Sequence, residues 1–247
     1  MSERFTSFDG AQIAFRRVGS GRPVVLLHGL FSSAQVNWIR FGHAQKLADA
    51  GFEAIMPDLR AHGESAAPHD PAAYPPDVLV RDLEALVAHL GLTAFDLAGF
   101  SLGARTVARA AAAGMNPRRL VIAGMGLDGL TAWEARPSFF LDAIARFDEV
   151  RMGDEAYFTV QFMKTMKIDR VAAKLLLEAI GKGGPVDLSR ITMRTLVLCG
   201  EEDRDNGSPE ALAEALPDGH YAAVPGTHMS SVTKPDMGDA IVRFLVD

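Results

Sequence analysis

The chain has 247 residues, of which 48% are hydrophobic and 23% are charged, and its formal net charge is -6. This acidic balance argues against a nucleic-acid partner, and no apolar run is long enough to span a bilayer, so we expect no membrane partner either. The N-terminus lacks the basic start and apolar core of a signal peptide, and the single cysteine, Cys199, cannot form an internal disulfide. These features favour one cytoplasmic domain.

Predicted strands and helices alternate through the first half of the chain. In chain order they are a hairpin around Asp9-Gly10, a strand at 23–27, a helix at 34–50, a strand at 53–56, a helix at 76–90, a strand that ends just before Ser101, a helix at 102–113 and a strand at 120–123. Alternation of this kind predicts a mainly parallel sheet with helices on both faces.

The pattern breaks after residue 126. From 127 to about 190 the sequence has no strand signal and is rich in aromatic and methionine side chains, most of which we expect to pack against one another. Two further apolar runs follow, at 195–200 and 221–224, and each predicts a strand.

Ser101 stands between two glycines in Gly99-Phe-Ser-Leu-Gly103, directly after an apolar run. A turn from strand to helix that is tight enough to expose a serine hydroxyl leaves no room for side chains two positions before or after it. Gly99 and Gly103 meet that requirement, so the pattern predicts a nucleophile elbow.

Polar residues that suit the other roles of acyl transfer follow three more predicted strands. His28-Gly29 ends the strand at 23–27, Asp203 follows the strand at 195–200, and His228 follows the strand at 221–224. The order serine, acid, histidine, with each residue just past the carboxyl end of a strand, is typical of one large enzyme fold.

The chain resembles the α/β-hydrolase superfamily over nearly its whole length. Besides the residues above, Asp58-Leu-Arg-Ala-His-Gly-Glu-Ser65 is similar to the family's D-x-R-G-x-G-x-S loop, with Ala61 in place of its first glycine. The resemblance implies a mainly parallel eight-stranded sheet flanked by helices, formed by residues 1–126 and 191–247. It implies a helical cap, or lid, at residues 127–190.

The resemblance also implies roles for individual residues. Ser101 would be the nucleophile, His228 the base and Asp203 the acid that orients it, while Asp205 and Asp128 remain alternatives for the acid. The backbone N–H groups of Leu30 and Leu102 would form the oxyanion hole. The residues expected to line the substrate pocket are Phe31, Trp133, Phe139, Phe162 and Met229.

These roles predict a serine hydrolase that cleaves a small or medium-sized carboxylic ester through an acyl-enzyme. A thioesterase, a lactonase, a carbon–carbon bond hydrolase or a perhydrolase would use the same triad, and a non-catalytic ligand receptor on this fold is a remoter alternative. A serine at the elbow separates the chain from family members that use aspartate there, such as epoxide hydrolases. We expect no cofactor and no metal, and a homodimer is left open. We expect His43, His69, His89 and His220 to lie on the surface.

Overall fold

One eight-stranded sheet organises the chain. The computed structural model describes residues 2–132 and 136–247. The strands are β1 (Glu3–Thr6), β2 (Gln12–Gly19), β3 (Arg22–Leu27), β4 (Phe52–Pro57), β5 (Asp96–Phe100), β6 (Leu120–Ala123), β7 (Thr195–Gly200) and β8 (Gly219–Val224). They lie in the order β1-β2-β4-β3-β5-β6-β7-β8. Only the β1–β2 and β2–β4 pairings are antiparallel, so the predicted mainly parallel sheet is confirmed.

The helices fill the connections between strands. They are α1 (His43–Asp49), α2 (Val78–His89), α3 (Leu102–Ala112), α4 (Leu127–Thr131), α5 (Arg136–Ala145), α6 (Tyr157–Thr165), α7 (Arg170–Gly181), α8 (Pro209–Ala215), α9 (His228–Ser231) and α10 (Pro235–Val246). Among the described residues, no helix is both long enough and apolar enough to cross a membrane.

Alternate residues of each central strand feed two separate cores. In β3, Val25 and Leu27 pack in the core that holds α2 and α3, whereas Val24 and Leu26 pack in the core that holds α1 and α10. A strand buried on both faces reads as a continuous apolar run, which is why these strands could be recognised from sequence.

The helix predicted over residues 34–50 is wrong as a single element. A π-helical turn covers Gln35–Ile39, and α1 begins only at His43, because Gly42 adopts the left-handed region at φ 82° between them. Apolar residues continue through both pieces, so their spacing alone does not reveal the break.

The described residues between β6 and β7 contain helices and no strand, as predicted. Helices α5, α6 and α7 share a third apolar cluster that includes Ile144, Val160 and Leu177. Phe31, from the loop after β3, is buried in the same cluster. That loop is therefore packed directly against α5, α6 and α7, which are called the inserted helices because they lie between β6 and β7 in the chain. The division of the chain into a core and a cap stays a prediction.

Candidate active site

Ser101 occupies a strained backbone conformation at the junction of β5 and α3. Its φ of 53° and ψ of -112° lie in a region that residues with a side chain rarely adopt. A methyl group on Gly99 would stand 2.3 Å from the Gly103 carbonyl, and one on Gly103 would stand 2.3 Å from the Leu27 carbonyl oxygen. The predicted elbow geometry is thus confirmed, and both glycines are required by close backbone approach.

The three residues predicted to act together are in contact. Nε2 of His228 lies 3.0 Å from the Ser101 hydroxyl oxygen, and Nδ1 of the same ring lies 2.9 Å from Oδ2 of Asp203. The Asp203 carboxylate is 2% exposed, so little water competes for its oxygens. The ring of His228 also packs at 5.1 Å from that of Phe100, the residue before the serine.

Among the described residues, neither alternative acid makes the hydrogen bond to the imidazole. Asp205 is exposed, and its backbone N–H donates a 3.2 Å hydrogen bond to Oδ1 of Asp203. Asp128 lies in the first turn of α4 against the backbone of Gly207, and no hydrogen bond joins it to His228 within the described part of the chain. The carboxylate in contact with the imidazole is that of Asp203.

His228 is held by a short helix, although Pro225-Gly226, a pair typical of turns, comes just before it in the sequence. It is the first residue of α9, which Thr227 caps by accepting the backbone N–H of Ser230. The Ser230 hydroxyl accepts the backbone N–H of Thr227 in return at 2.8 Å, completing a capping box. The sequence signal was Thr227 followed three residues later by a polar side chain.

Two backbone amides near Ser101 are available to a ligand. Leu102 is the first residue of α3, and a helix supplies no carbonyl partner for its first N–H groups. The Leu30 N–H has no hydrogen-bond partner among residues 2–132 and 136–247. The turn that carries Leu30 lies against the serine, since a methyl group on Gly29 would stand 3.5 Å from the Ser101 Cβ.

Two buried histidines support this turn. Nδ1 of His28 donates to the Gly29 carbonyl, and its Nε2 accepts the Leu59 N–H at 2.9 Å. Nε2 of His62 accepts the Phe31 N–H at 2.9 Å, and its Nδ1 donates to the Arg60 carbonyl. Burial lowers the pKa of both rings, that of His62 to about 3, so each is a neutral ring with one donor and one acceptor.

The expectation that His43 lies on the surface is wrong. Its side chain is fully buried, Nε2 contacts the Val232 carbonyl at 2.6 Å, and burial lowers the pKa of the ring. It is the first residue of α1, the helix that was predicted to begin at residue 34.

The residues predicted to line a pocket occupy different environments. Phe31 is 2% exposed within the apolar cluster of the inserted helices, and Phe139 and Phe162 are partly buried against that cluster. Met229 is 59% exposed beside His228. Trp133 lies outside the described residues. Contact of these side chains with a substrate stays a prediction.

One set of side chains in the described ranges has spacing compatible with a metal ion, namely Asp203, Asp205 and His228, whose candidate ligand atoms lie within 4.8 Å of one another. The hydrogen bond between Asp203 and His228 already accounts for the two buried members.

Comparison with known proteins agrees with this architecture. A family model described as alpha/beta hydrolase fold matches residues 22–178. An epoxide hydrolase from Caballeronia sordidicola is 31% identical over 150 residues, which cover 58% of this chain and 44% of that protein. An N-formylmaleamate deformylase from Pseudomonas putida is 30% identical over 140 residues, which cover 56% of this chain and 50% of the deformylase.

The chain thus spans half or less of the length of these two curated relatives. A solved structure, that of a thermophilic esterase from Thermogutta terrifontis, matches 99% of this chain and 98% of its own at a TM-score of 0.73 and 25% identity. Because the family model covers more than half of the residues, including both β3 and the elbow, this chain belongs to the α/β-hydrolase family.

Proposed function

We propose that this hydrolase is a carboxylic ester hydrolase with Ser101 as its nucleophile, acting on small or medium-sized esters through an acyl-enzyme. The observation that carries the proposal is the unbroken chain of contacts from the Ser101 hydroxyl through the His228 imidazole to the Asp203 carboxylate, at 3.0 Å and 2.9 Å. A serine hydroxyl needs such a base, because it is a weak nucleophile at neutral pH.

Asp203 selects the tautomer of the base. A carboxylate accepts hydrogen bonds, so Nδ1 of His228 carries the proton and donates it to Oδ2 of Asp203. Nε2 is then left with a lone pair directed at the Ser101 hydroxyl. When Nε2 takes the serine proton, the adjacent carboxylate stabilises the imidazolium that forms.

Attack by the Ser101 oxygen on the ester carbonyl carbon moves an electron pair onto the carbonyl oxygen. We assign the N–H groups of Leu30 and Leu102 as donors to this oxyanion. Donors fixed in advance favour the tetrahedral intermediate because they need little reorganisation as charge develops. The N-terminal end of α3 adds a partial positive charge at the same place.

Collapse of the intermediate breaks the bond to the leaving alcohol, which takes the proton from Nε2 of His228. Water then gives a proton to the same nitrogen and attacks the acyl-enzyme, and release of the acid returns the proton to Ser101. In this proposal the helices of residues 127–190 cover the acyl group as a cap and exclude bulk water.

The nucleophile argues against the activity named for the epoxide hydrolase relative. Members of the family such as epoxide hydrolases use aspartate as the nucleophile at the elbow. This chain has Ser101 at that position. Thioesters, lactones and other acyl donors would use the same groups. We place esters first because the solved structure from Thermogutta terrifontis, 25% identical to this chain, is that of an esterase.

Hydrolysis of p-nitrophenyl acetate and p-nitrophenyl butyrate tests the proposal, with Ser101→Ala as the matched variant. We expect release of p-nitrophenol by the wild-type chain and its reduction to background in the variant. A fluorophosphonate probe should label the wild-type chain and leave Ser101→Ala unlabelled. Equal background release, together with no labelling of either protein, would contradict a serine hydrolase and favour a ligand receptor.

A further inference from the structure

In the loop after β3, the backbone N–H groups on both sides of the Leu30 amide are hydrogen-bonded to side chains. Before it, the Gly29 N–H donates a 3.1 Å hydrogen bond to Oδ1 of Asn37. After it, the Phe31 N–H donates a 2.9 Å hydrogen bond to Nε2 of His62. The Leu30 N–H between them has no partner within the described ranges. Two side chains therefore immobilise the peptide groups that flank an available donor.

The acceptors come from separate parts of the chain, and both are buried. Asn37 lies in the π-helical turn and is 2% exposed, and its Oδ1 makes the bond to Gly29. His62 lies in the loop after β4, is 2% exposed, and is oriented by the bond from Nδ1 to the Arg60 carbonyl. Buried side chains with few rotamers hold a backbone more firmly than water does.

The backbone at Phe31 needs such support. Its φ of 59° lies in the left-handed region, which is strained for a residue with a side chain and persists only when the surroundings impose it. Its ring is locked at the other end, in the cluster of the inserted helices and edge-on to Phe140 at 5.8 Å. Strain held from both ends is a mark of a turn whose shape matters for function.

We propose that His62 and Asn37 are positioning residues for the oxyanion hole, holding the Leu30 N–H rigid by accepting the N–H groups on either side of it. The inference rests on the proposed function, because it gives these side chains a role in ester hydrolysis. Neither side chain touches the reacting atoms in this scheme. They act on the rate through the transition state, because a displaced N–H donor stabilises the developing oxyanion much less.

The first experiment uses the wild-type chain and does not depend on turnover. Amide hydrogen exchange measured by NMR should show slow exchange at Gly29 and Phe31 and exchange at least tenfold faster at Leu30. A trifluoromethyl ketone that adds to the serine should then slow exchange at Leu30. Equal protection of all three amides in the free protein, or a Phe31 amide that exchanges as fast as Leu30, would overturn the inference.

The second experiment removes an acceptor. His62→Leu deletes the bond to Phe31, and His62→Gln retains a carbonyl oxygen that can accept it. For His62→Leu we expect kcat on p-nitrophenyl butyrate to fall roughly 10- to 100-fold with KM within about twofold, and trifluoromethyl ketone affinity to fall in parallel with kcat. His62→Gln should restore most of kcat. Asn37→Leu gives the same test from the other side if His62→Leu does not fold.

Ser7→Ala is the control, because Ser7 is also buried and its hydroxyl donates a 2.5 Å hydrogen bond to Asp82, beside the edge strand β1. It should lose stability without losing kcat. A His62→Leu protein that is folded and turns over at the wild-type rate would sink the inference. Lack of Ser101-dependent turnover in the wild-type chain would instead remove the proposed function, while the exchange pattern would still decide whether the loop is held.

Discussion

Gly103 and Leu27 approach so closely that a methyl group on Gly103 would stand 2.3 Å from the Leu27 carbonyl oxygen. The obstacle is backbone of β3, which cannot rotate away as a flexible side chain could. The start of α3, which carries Ser101, is thereby pressed against the end of the strand that leads into His28 and Gly29. The serine and the loop that would bind the oxyanion share one rigid junction.

Gly103→Ala should therefore displace the elbow. We expect a loss of about 3 kcal/mol in the free energy of unfolding, because overpacking against fixed backbone forces main-chain movement, and loss of Ser101-dependent esterase activity. Urea unfolding and p-nitrophenyl butyrate hydrolysis measure the two effects. Gly184→Ala is the matched control, since no heavy atom lies within 4 Å of its added methyl group. Equal stability of the two variants would contradict the stated cause.

The elbow could be predicted because its determinants are local. Gly99, Ser101 and Gly103 are two positions apart in sequence, and a mostly apolar run identifies the buried strand that leads into them. The central strands of the sheet could be predicted for the same reason. The order of serine, acid and histidine along the chain indicated which strand ends would carry the site.

The supports of the site could not be predicted, because each depends on a partner distant in sequence. The Phe31 N–H reaches His62 across 31 residues, and His43 reaches the Val232 carbonyl across 189 residues. Nothing in the residues around His43 distinguishes it from an exposed histidine at a helix start. Burial of a polar side chain is decided by what packs over it, and the local pattern does not contain that information.

Asp203→Asn should show whether the Asp203 carboxylate acts in catalysis by orienting His228, because the substitution keeps the size of the side chain and removes its charge. The neutral amide cannot stabilise the imidazolium, and its NH₂ group can donate to Nδ1 and so favour the wrong tautomer of His228. We therefore expect kcat to fall by roughly 10⁴-fold, as in a measured triad, with substrate binding little changed. Steady-state kinetics on p-nitrophenyl butyrate measure it. Asp205→Asn is the matched comparison, because the hydrogen bond from Asp205 to Asp203 is donated by its backbone N–H, which the substitution keeps, while the Asp205 carboxylate lies within 4.8 Å of polar atoms of Asp203 and His228. Comparable losses in both variants would show that the acid was assigned wrongly.

Arg105 links the helix of the nucleophile to both ends of the inserted segment. Its guanidinium, buried on α3, donates to the Gly129 carbonyl at 3.0 Å and to the Gly183 carbonyl at 3.3 Å. Burial, reinforced by neighbouring Arg109, lowers the pKa of Arg105 to about 10, so it remains a cation at neutral pH. Gly129 lies in α4 and Gly183 follows α7, so the two carbonyls belong to the first helix of this segment and to the chain that leaves its last helix.

Arg105→Met keeps an apolar stem and removes these bonds. We expect about 2 to 4 kcal/mol less stability, from two lost bonds to a charged donor, and faster amide exchange in α5 to α7 than in β5 or β6. Hydrogen exchange read by mass spectrometry resolves the two regions. Arg118→Met, which alters an exposed arginine, should change neither quantity. Uniform acceleration across the sheet and the inserted helices would mean that Arg105 supports the whole fold instead.

Stability should fall as the solution is acidified from about pH 7 to about pH 5, because burial lowers the folded-state pKa of His28, His43 and His62 below their unfolded value of 6.5. Between pH 5 and pH 7 the unfolded chain binds more protons at these histidines than the folded chain does, so the free energy of unfolding rises with pH. With its pKa at about 3 when folded, His62 alone accounts for about 2 kcal/mol between the two conditions. Urea unfolding of His62→Gln should show a correspondingly smaller difference, whereas His89→Gln, which removes an exposed histidine, should match wild type. An undiminished difference in His62→Gln would show that the His62 ring is not held neutral in the folded chain.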